Sequence, residues 1–307
     1  MVVLLVKKIV ELFLIMFAGF ALVKLGVVKS KDATVLSKLS LYILMPCMIL
    51  NSFNVKLSSN IKQGLLLALI ASVVFQGILL CVDFCYSRLC KVGPTERTSA
   101  MYSNAANLII PLVTAMLGEK WLIYTMPFLT VQFVMLWTHA IRLFDSESKF
   151  SFKKLFLNVN MITFFLGLLL LLFDFQLPAI LGNAIGSVGG MIGNVGMLIC
   201  GMLAAGIDIK KTITNKSVWS IILIRMIICP SIALLFLKII PVERFMAGAE
   251  DVLLVTFLAT MTPCAATIMQ FAQLHNREPE LASAANIMTT LICIVTMPAF
   301  VWLYLNI

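Results

Sequence analysis

Apolar runs of membrane-spanning length recur ten times along the chain, separated by short polar connectors. They cover roughly 3–24, 33–54, 61–85, 95–117, 120–141, 155–175, 183–206, 217–238, 249–273 and 280–305. A helix needs about 20 residues to cross a hydrocarbon core of roughly 30 Å. The pattern therefore predicts an all-α integral membrane protein with ten transmembrane helices. Lys7 and Lys8 stand before an apolar run and give the N-terminus the look of a signal peptide. That run contains Glu11 and has no clear small-residue cleavage site before Lys24, so it is read as the first span.

Lysine and arginine placement orients the spans. Fifteen of the 23 cations fall on one side, in the connectors holding Lys24 to Lys38, Arg88 to Arg97, Arg142 to Lys154, Lys210 to Lys216, and Arg277. Seven fall on the other: Lys7, Lys8, Lys56, Lys62, Lys120, Lys238 and Arg244. The richer side is expected to be cytoplasmic, which places both termini outside. The most polar connector, DSESKFSFKK at 145–154, divides five spans from five. Five is odd, so the second half enters the membrane from the opposite side. The expected organisation is a first five-helix repeat over 1–144, a cytoplasmic connector over 145–154, and a second, inverted repeat over 155–307. Transporters built from inverted repeats place their substrate sites near the midplane, on helices broken at corresponding positions of the two halves.

Two spans are interrupted at corresponding positions. The fourth carries SNAANLIIP from Ser103 to Pro111, and the ninth carries TFLATMTPCAATIMQFAQ with Pro263 near its middle. Proline removes a backbone donor and clashes with the preceding turn. Non-helical backbone survives at membrane depth only inside protein or beside a water-filled cavity. The two breaks are therefore expected to face each other. A broken helix exposes the N-terminus of its second half, which carries free N–H groups and about half a positive charge. Asn104 and Asn107 add neutral donors, and Ser103, Thr262 and Thr267 add hydroxyls. A carboxylate is the expected ligand. Pro46, Pro127, Pro230 and Pro298 read as packed kinks.

Other polar residues within spans leave alternatives open. Arg225 lies near mid-depth of the eighth span, where an arginine faces a cavity or a partner. It either meets a substrate carboxylate, such as the second one of a dicarboxylate, or forms a structural pair with Asp83 or backbone carbonyls. Asp83 is either a proton or cation coupling site or the partner of Arg88. Asn51 in the second span is a candidate lining residue. Gln76, Gln132 and Asn194 have no evident partner. The glycines of IGSVGGMIGNVG, 185–196, suit close helix packing.

Composition narrows the class. Hydrophobic residues make up 61% and charged residues 12%, with a mean hydropathy of +1.05. A soluble domain is about 45–50% apolar and ~25% charged, so this excess belongs in a bilayer. The net charge of +9 is spread over connectors rather than gathered in a basic stripe, which excludes nucleic-acid binding as its explanation. The eight cysteines include no CxxC pair, and His139 and His275 have no companion ligands in sequence. No metal or cofactor is expected. There is no HExxH or GxSxG motif and no Walker A loop, so neither an intramembrane enzyme nor an ATP-driven pump is indicated.

The chain resembles the auxin efflux carrier family of membrane transporters, including its bacterial malate or malonate permease-like branch. The resemblance runs over essentially the full length. It is carried by YILMPCMIL in the second span, SNAANLIIPLV in the fourth, FKKLFLNVN entering the sixth, and TPCAATIMQFAQLHNREPELASAANIMTTL across the ninth and tenth. It implies ten helices in two inverted five-helix repeats. Spans 1, 2, 6 and 7 would form a dimerising scaffold, and the rest an elevator-type transport domain with spans 4 and 9 crossing. Asn104 matches the family's fourth-span asparagine and Pro263 its ninth-span crossover proline. Plant carriers have a proline where this chain has Ser103, which implies a softer fourth-span break. Asn158-Val159 stands where the family often has Asn-Pro, and the long cytoplasmic loop of plant members is reduced to 145–154. The function implied is a secondary transporter of small organic anions, with short dicarboxylates such as malate or malonate expected first. Auxin-like monocarboxylates, or a channel or sensor on the same scaffold, stand as alternatives. The implied setting is the cell membrane, as a homodimer.

Overall fold

A computed structural model of the chain describes residues 2–56, 58–145, 158–239 and 246–306. The described residues are overwhelmingly helical, and their only β-type pairing is one isolated bridge. In chain order the helices are α1 (Val2–Lys24), α2 (Ser30–Phe53), α3 (Ser59–Cys90), α4 (Pro94–Met101), α5 (Ala105–Met116), α6 (Glu119–Phe144), α7 (Val159–Leu172) and α8 (Ala179–Ala204). They continue as α9 (Ile209–Thr214), α10 (Lys216–Ile239), α11 (Ala249–Met261), α12 (Ala266–Leu274) and α13 (Pro279–Asn306). The connector expected at 145–154 lies, from 146 onward, outside the described residues, as does Arg244.

Six of these helices, α2, α3, α6, α8, α10 and α13, are long and apolar enough to cross a membrane as single elements. The others depart from that form for identifiable reasons. α1 has 23 residues but carries Lys7, Lys8 and Glu11 in its first half. α7 is described over 14 residues only. The fourth and ninth stretches are split, α4 from α5 and α11 from α12, so neither is one continuous rod.

Local chemistry sets several boundaries. α4 starts at Pro94, whose fixed φ suits the first helical position, and the Gly93 N–H donates to the Glu96 carboxylate at 2.6 Å. Asn158 caps α7 by accepting from the Asn160 N–H at 2.9 Å. Three long helices contain a π-helical turn: Ser40–Leu44 in α2, Leu136–Ala140 in α6 and Leu223–Ile228 in α10. Two of them lie just before Pro46 and Pro230, where the missing proline N–H disrupts the normal ladder. Such turns concentrate at functional sites, and here one carries Ser40, one His139 and one Arg225.

The helices pack in two sets. α1 lies along α8, and α2 packs on α7 and α8. α3 packs on α6 and α11, and α10 on α11. α5 touches both sets, the first through α1 and α8 and the second through α6 and α11. The glycines of α8 permit the close contacts. A Cβ on Gly189 would lie 2.6 Å from the Met48 backbone nitrogen on α2, closer than any side chain allows. Exposed Leu, Ile, Val and Phe side chains band the outside, including Leu66, Ile70 and Val73 on α3, as lipid-facing helices require.

Candidate functional site: the crossing of two broken helices

The site begins with a backbone problem. Tyr102 leaves α4 in extended geometry, Thr262 leaves α11 likewise, and residues 102–104 and 262–265 lie outside the helices. Their peptide groups lose helical partners at a depth where an unpaired group costs several kcal/mol. Each break satisfies the other. The Asn104 N–H donates to the Pro263 carbonyl at 2.8 Å, and the Ala265 N–H donates to the Tyr102 carbonyl at 2.9 Å. Together they form an antiparallel bridge between Ser103 and Cys264.

Side chains from two further helices complete the satisfaction. Gln132 of α6 clamps Ser103: its Oε1 accepts from the Ser103 N–H at 3.1 Å and from the hydroxyl at 2.5 Å, and its Nε2 donates to the Ser103 carbonyl at 2.8 Å. On α13, Thr289 Oγ1 accepts from the Cys264 N–H at 3.1 Å, and Asn286 donates to the Cys264 carbonyl. Ser103, Asn286 and Thr289 are all buried.

The crossing has two poles. On one, the second half-helices α5 and α12 begin, and no side chain caps either N-terminus. The first N–H groups of a helix lack the usual intrahelical partner four residues back, and at neither end does a capping side chain supply one. On the other pole, α4 and α11 end. Arg225 of α10 reaches into this end: Nε donates to the Thr262 carbonyl at 3.0 Å, Nη1 to the Met101 carbonyl at 2.9 Å and Nη2 to the Thr260 carbonyl at 2.7 Å. Its side chain is 0% exposed.

A cavity of about 90 Å³ opens at the N-terminal pole. Ser103, Asn104, Asn107, Gln132, Thr267 and Gln270 form its polar side. Asn107 Nδ2 donates to Asn104 Oδ1 at 2.9 Å, which orients both amides. The rest of the wall is largely apolar and includes Leu41, Met45, Leu129, Phe133, Ile192 and Ile199. Among the described residues, no lining residue is charged. Ser40 of α2 also lines the cavity, and its buried hydroxyl has no hydrogen-bond partner among the described residues. Most other buried helical hydroxyls bond the carbonyl a turn back, as Ser52 and Ser72 do to Met48 and Ala68.

Of the residues singled out from sequence, the fold brings Ser103, Asn104, Asn107 and Thr267 together on this cavity. Pro263 and Thr262 belong to the crossing backbone, and the Thr262 hydroxyl donates to the Ala259 carbonyl at 2.9 Å. Asn51 lies elsewhere, beside Gly186 and Thr114 in a separate cavity of about 300 Å³ that also includes Lys8, Glu119 and Asn194. Arg225 is on the opposite pole, where it bonds backbone carbonyls and not Asp83. Asp83 pairs with Arg97, not Arg88: Arg97 Nε donates to Oδ1 at 3.0 Å and Nη2 to Oδ2 at 2.6 Å. Arg88, further along α3, lies instead over the Phe84 ring at 5.3 Å. Next to Asp83, His139 Nε2 is 3.7 Å from Oδ2, and His139 Nδ1 is 3.0 Å from the Tyr102 hydroxyl. Ser37, Ser40, Gln132 and Gln270 are the polar lining residues that pattern reading does not assign to the site. The available signal for each is a polar residue within an otherwise apolar run.

The family model described as membrane transport protein matches the chain over residues 4–150 and 147–301. No curated protein matches it. A transport protein rather than an enzyme, with apolar helices suited to repeated passage through a bilayer, is what this match and the fold jointly describe. The chain belongs to the membrane transport protein family, of the auxin efflux carrier type.

Proposed function

We propose that the protein is a secondary carrier of small organic anions that binds one carboxylate at the N-terminal pole of the crossing. The observation that carries this reading is the convergence of two uncapped half-helix N-termini on a cavity lined by amides and hydroxyls, with no charged side chain among the described residues. Each N-terminus contributes about half a positive charge. Two together match about one negative charge. Asn104, Asn107 and Thr267 supply directed donors, and Gln132 holds Ser103 in place. Ser40 offers a hydroxyl from the opposite wall.

The apolar remainder of the cavity selects the body of the substrate. A second carboxylate would need its own cation or donors. Arg225, the residue best suited from sequence to meet it, spends its hydrogen bonds on Met101, Thr260 and Thr262. The malate or malonate reading depends on that arginine being available. A monocarboxylate with an apolar body is therefore the substrate class we propose.

In the architecture we propose, ten spans form two inverted five-helix repeats, divided by the 145–154 connector. α1, α2, α7 and α8 make a scaffold that pairs with a second copy, and the crossed helices belong to a moving transport domain. The closeness of α8 to α5 supports a sliding seam, since a Cβ on Gly196 would already lie 3.0 Å from Asn107 Cβ. The cell membrane, with both termini extracytoplasmic, is the setting proposed from the cation distribution.

Counterflow in proteoliposomes tests the carrier reading. Vesicles loaded with an unlabelled monocarboxylate are given trace labelled substrate outside. A carrier shows saturable exchange, and Asn104→Ala weakens it about 10- to 100-fold in affinity, the worth of a hydrogen bond to a charged group. Non-saturable flux would indicate a channel. No flux across a broad carboxylate panel, from folded protein, would move the reading to a sensor.

A further inference from the structure

We propose that Arg225 is the resident cation of the crossing, standing where broken-helix carriers otherwise hold a sodium ion, so that this carrier works without sodium. The inference builds on the carrier reading, but its test measures stability and does not depend on any transported substrate.

Broken transport helices leave two kinds of ends. Their second-half N-termini attract anions, while unwound carbonyls and first-half C-termini coordinate the coupling cation. In this chain the cation-seeking end is filled by protein. Arg225 donates to one carbonyl from the end of α4, Met101, and to two from the end of α11, Thr260 and Thr262. A single side chain from a third helix thus ties both breaks at once.

The charge balance supports more than a hydrogen-bonding role. A fully buried guanidinium requires compensation. No acidic side chain forms an ion pair with Arg225 among the described residues. Each helix C-terminus carries about half a negative charge. The two that converge on Arg225 therefore offset about one positive charge, which is the charge of the guanidinium. A sodium ion added there would be an unmatched second cation. Arg225 also sits in the π-helical turn of α10, Leu223–Ile228, the kind of local widening that accompanies specialised sites.

The crossing then works as a fixed pair of poles. Arg225 satisfies the negative pole permanently, and the substrate carboxylate satisfies the positive pole in each cycle. Arg225 is a positioning residue in this scheme, since it acts on the site through the backbone of the two breaks.

The test is thermal unfolding of the purified full chain in nanodiscs, in sodium chloride and in choline chloride. Wild type is expected to unfold at the same temperature in both salts. Arg225→Ala, with the three carbonyls opened, is expected to unfold lower in choline and to recover by roughly 5 °C as sodium saturates the vacated position. Arg225→Lys keeps a cation and is expected to stay insensitive to sodium. Saturable sodium stabilisation of wild type overturns the proposal. So does an Arg225→Ala variant that is destabilised equally in both salts, because Arg225 would then be only a hydrogen-bonding clip. If Arg225→Ala does not fold, Arg225→Lys and Arg225→Met decide: a Lys variant no more stable than the Met variant rules out the charge.

Discussion

Replacing Gln132 with leucine removes the clamp on Ser103 while keeping nearly the same volume. Three hydrogen bonds disappear, and two of the orphaned groups, the Ser103 N–H and carbonyl, belong to backbone in a residue only 2% exposed. The hydroxyl can rotate to another acceptor, but the peptide groups cannot. Each unsatisfied buried group costs about 1–3 kcal/mol, so Gln132→Leu is expected to destabilise by roughly 2–6 kcal/mol. At ~2–4 °C per kcal/mol for a large domain, the unfolding temperature falls by about 4–24 °C in the same lipid. Gln132→Glu separates fold from binding. The ionised carboxylate still accepts from the Ser103 N–H and hydroxyl, but it places a negative charge in the lining. At an effective dielectric of ~20 and a separation of about 5 Å, repulsion of a bound carboxylate is on the order of 3 kcal/mol, or about 10²-fold in affinity. Protonating the introduced carboxylate removes that charge and restores a donor toward the Ser103 carbonyl, so binding recovers as pH falls. The assays are thermal unfolding in nanodiscs and counterflow at two pH values. A Gln132→Leu protein as stable and as active as wild type would refute the clamp.

Further expectations follow from other contacts. Gly196→Val drives a side chain into Asn107, whose Cβ and Cγ are 3.0 and 3.1 Å from the position of a Cβ on Gly196; it should cost about 1–3 kcal/mol and at least ~10-fold of exchange, read by thermal unfolding and counterflow. Arg97→Ala strands a carboxylate whose side chain is 3% exposed and should destabilise by about 3 kcal/mol, whereas Arg88→Ala should stay within ~0.5 kcal/mol; unfolding of both variants in parallel checks this. Ser40→Ala removes a hydroxyl with no protein partner, so stability should hold while affinity for substrates bearing a second hydrogen-bonding group falls about 3- to 10-fold, measured by competition.

Much of this architecture is legible in the chain because membrane burial imposes simple rules. A helix must be long and apolar, and a polar interruption must be covered. SNAANLIIP and the segment around Pro263 break those rules together, and the two breaks do bond each other. Side-chain partnerships are less accessible. Asp83 and Arg88 are close in sequence and look like neighbours, yet α4 folds back to bring Arg97 to Asp83. Arg225 looks like a substrate ligand because an arginine at mid-depth needs a partner. Carbonyls contributed by two other helices supply that partner, and no spacing within α10 reveals them. Gln132 and Ser40 appear in sequence as stray polar residues. Their place at the cavity depends on how α6 and α2 pack around the crossing, which is a tertiary fact.

As proposed, the crossing binds one carboxylate by two helix N-termini and neutral donors, with no cationic side chain from the described residues in the cavity. Competition of counterflow by succinate and by its monomethyl ester tests it most directly, since the pair has the same carbon spacing and differs in one charge. The monoester is expected to compete about 10-fold or more better than the diacid at neutral pH, the cost of leaving a second carboxylate without a partner. Stronger competition by succinate would contradict it and require a second cationic contact within the site.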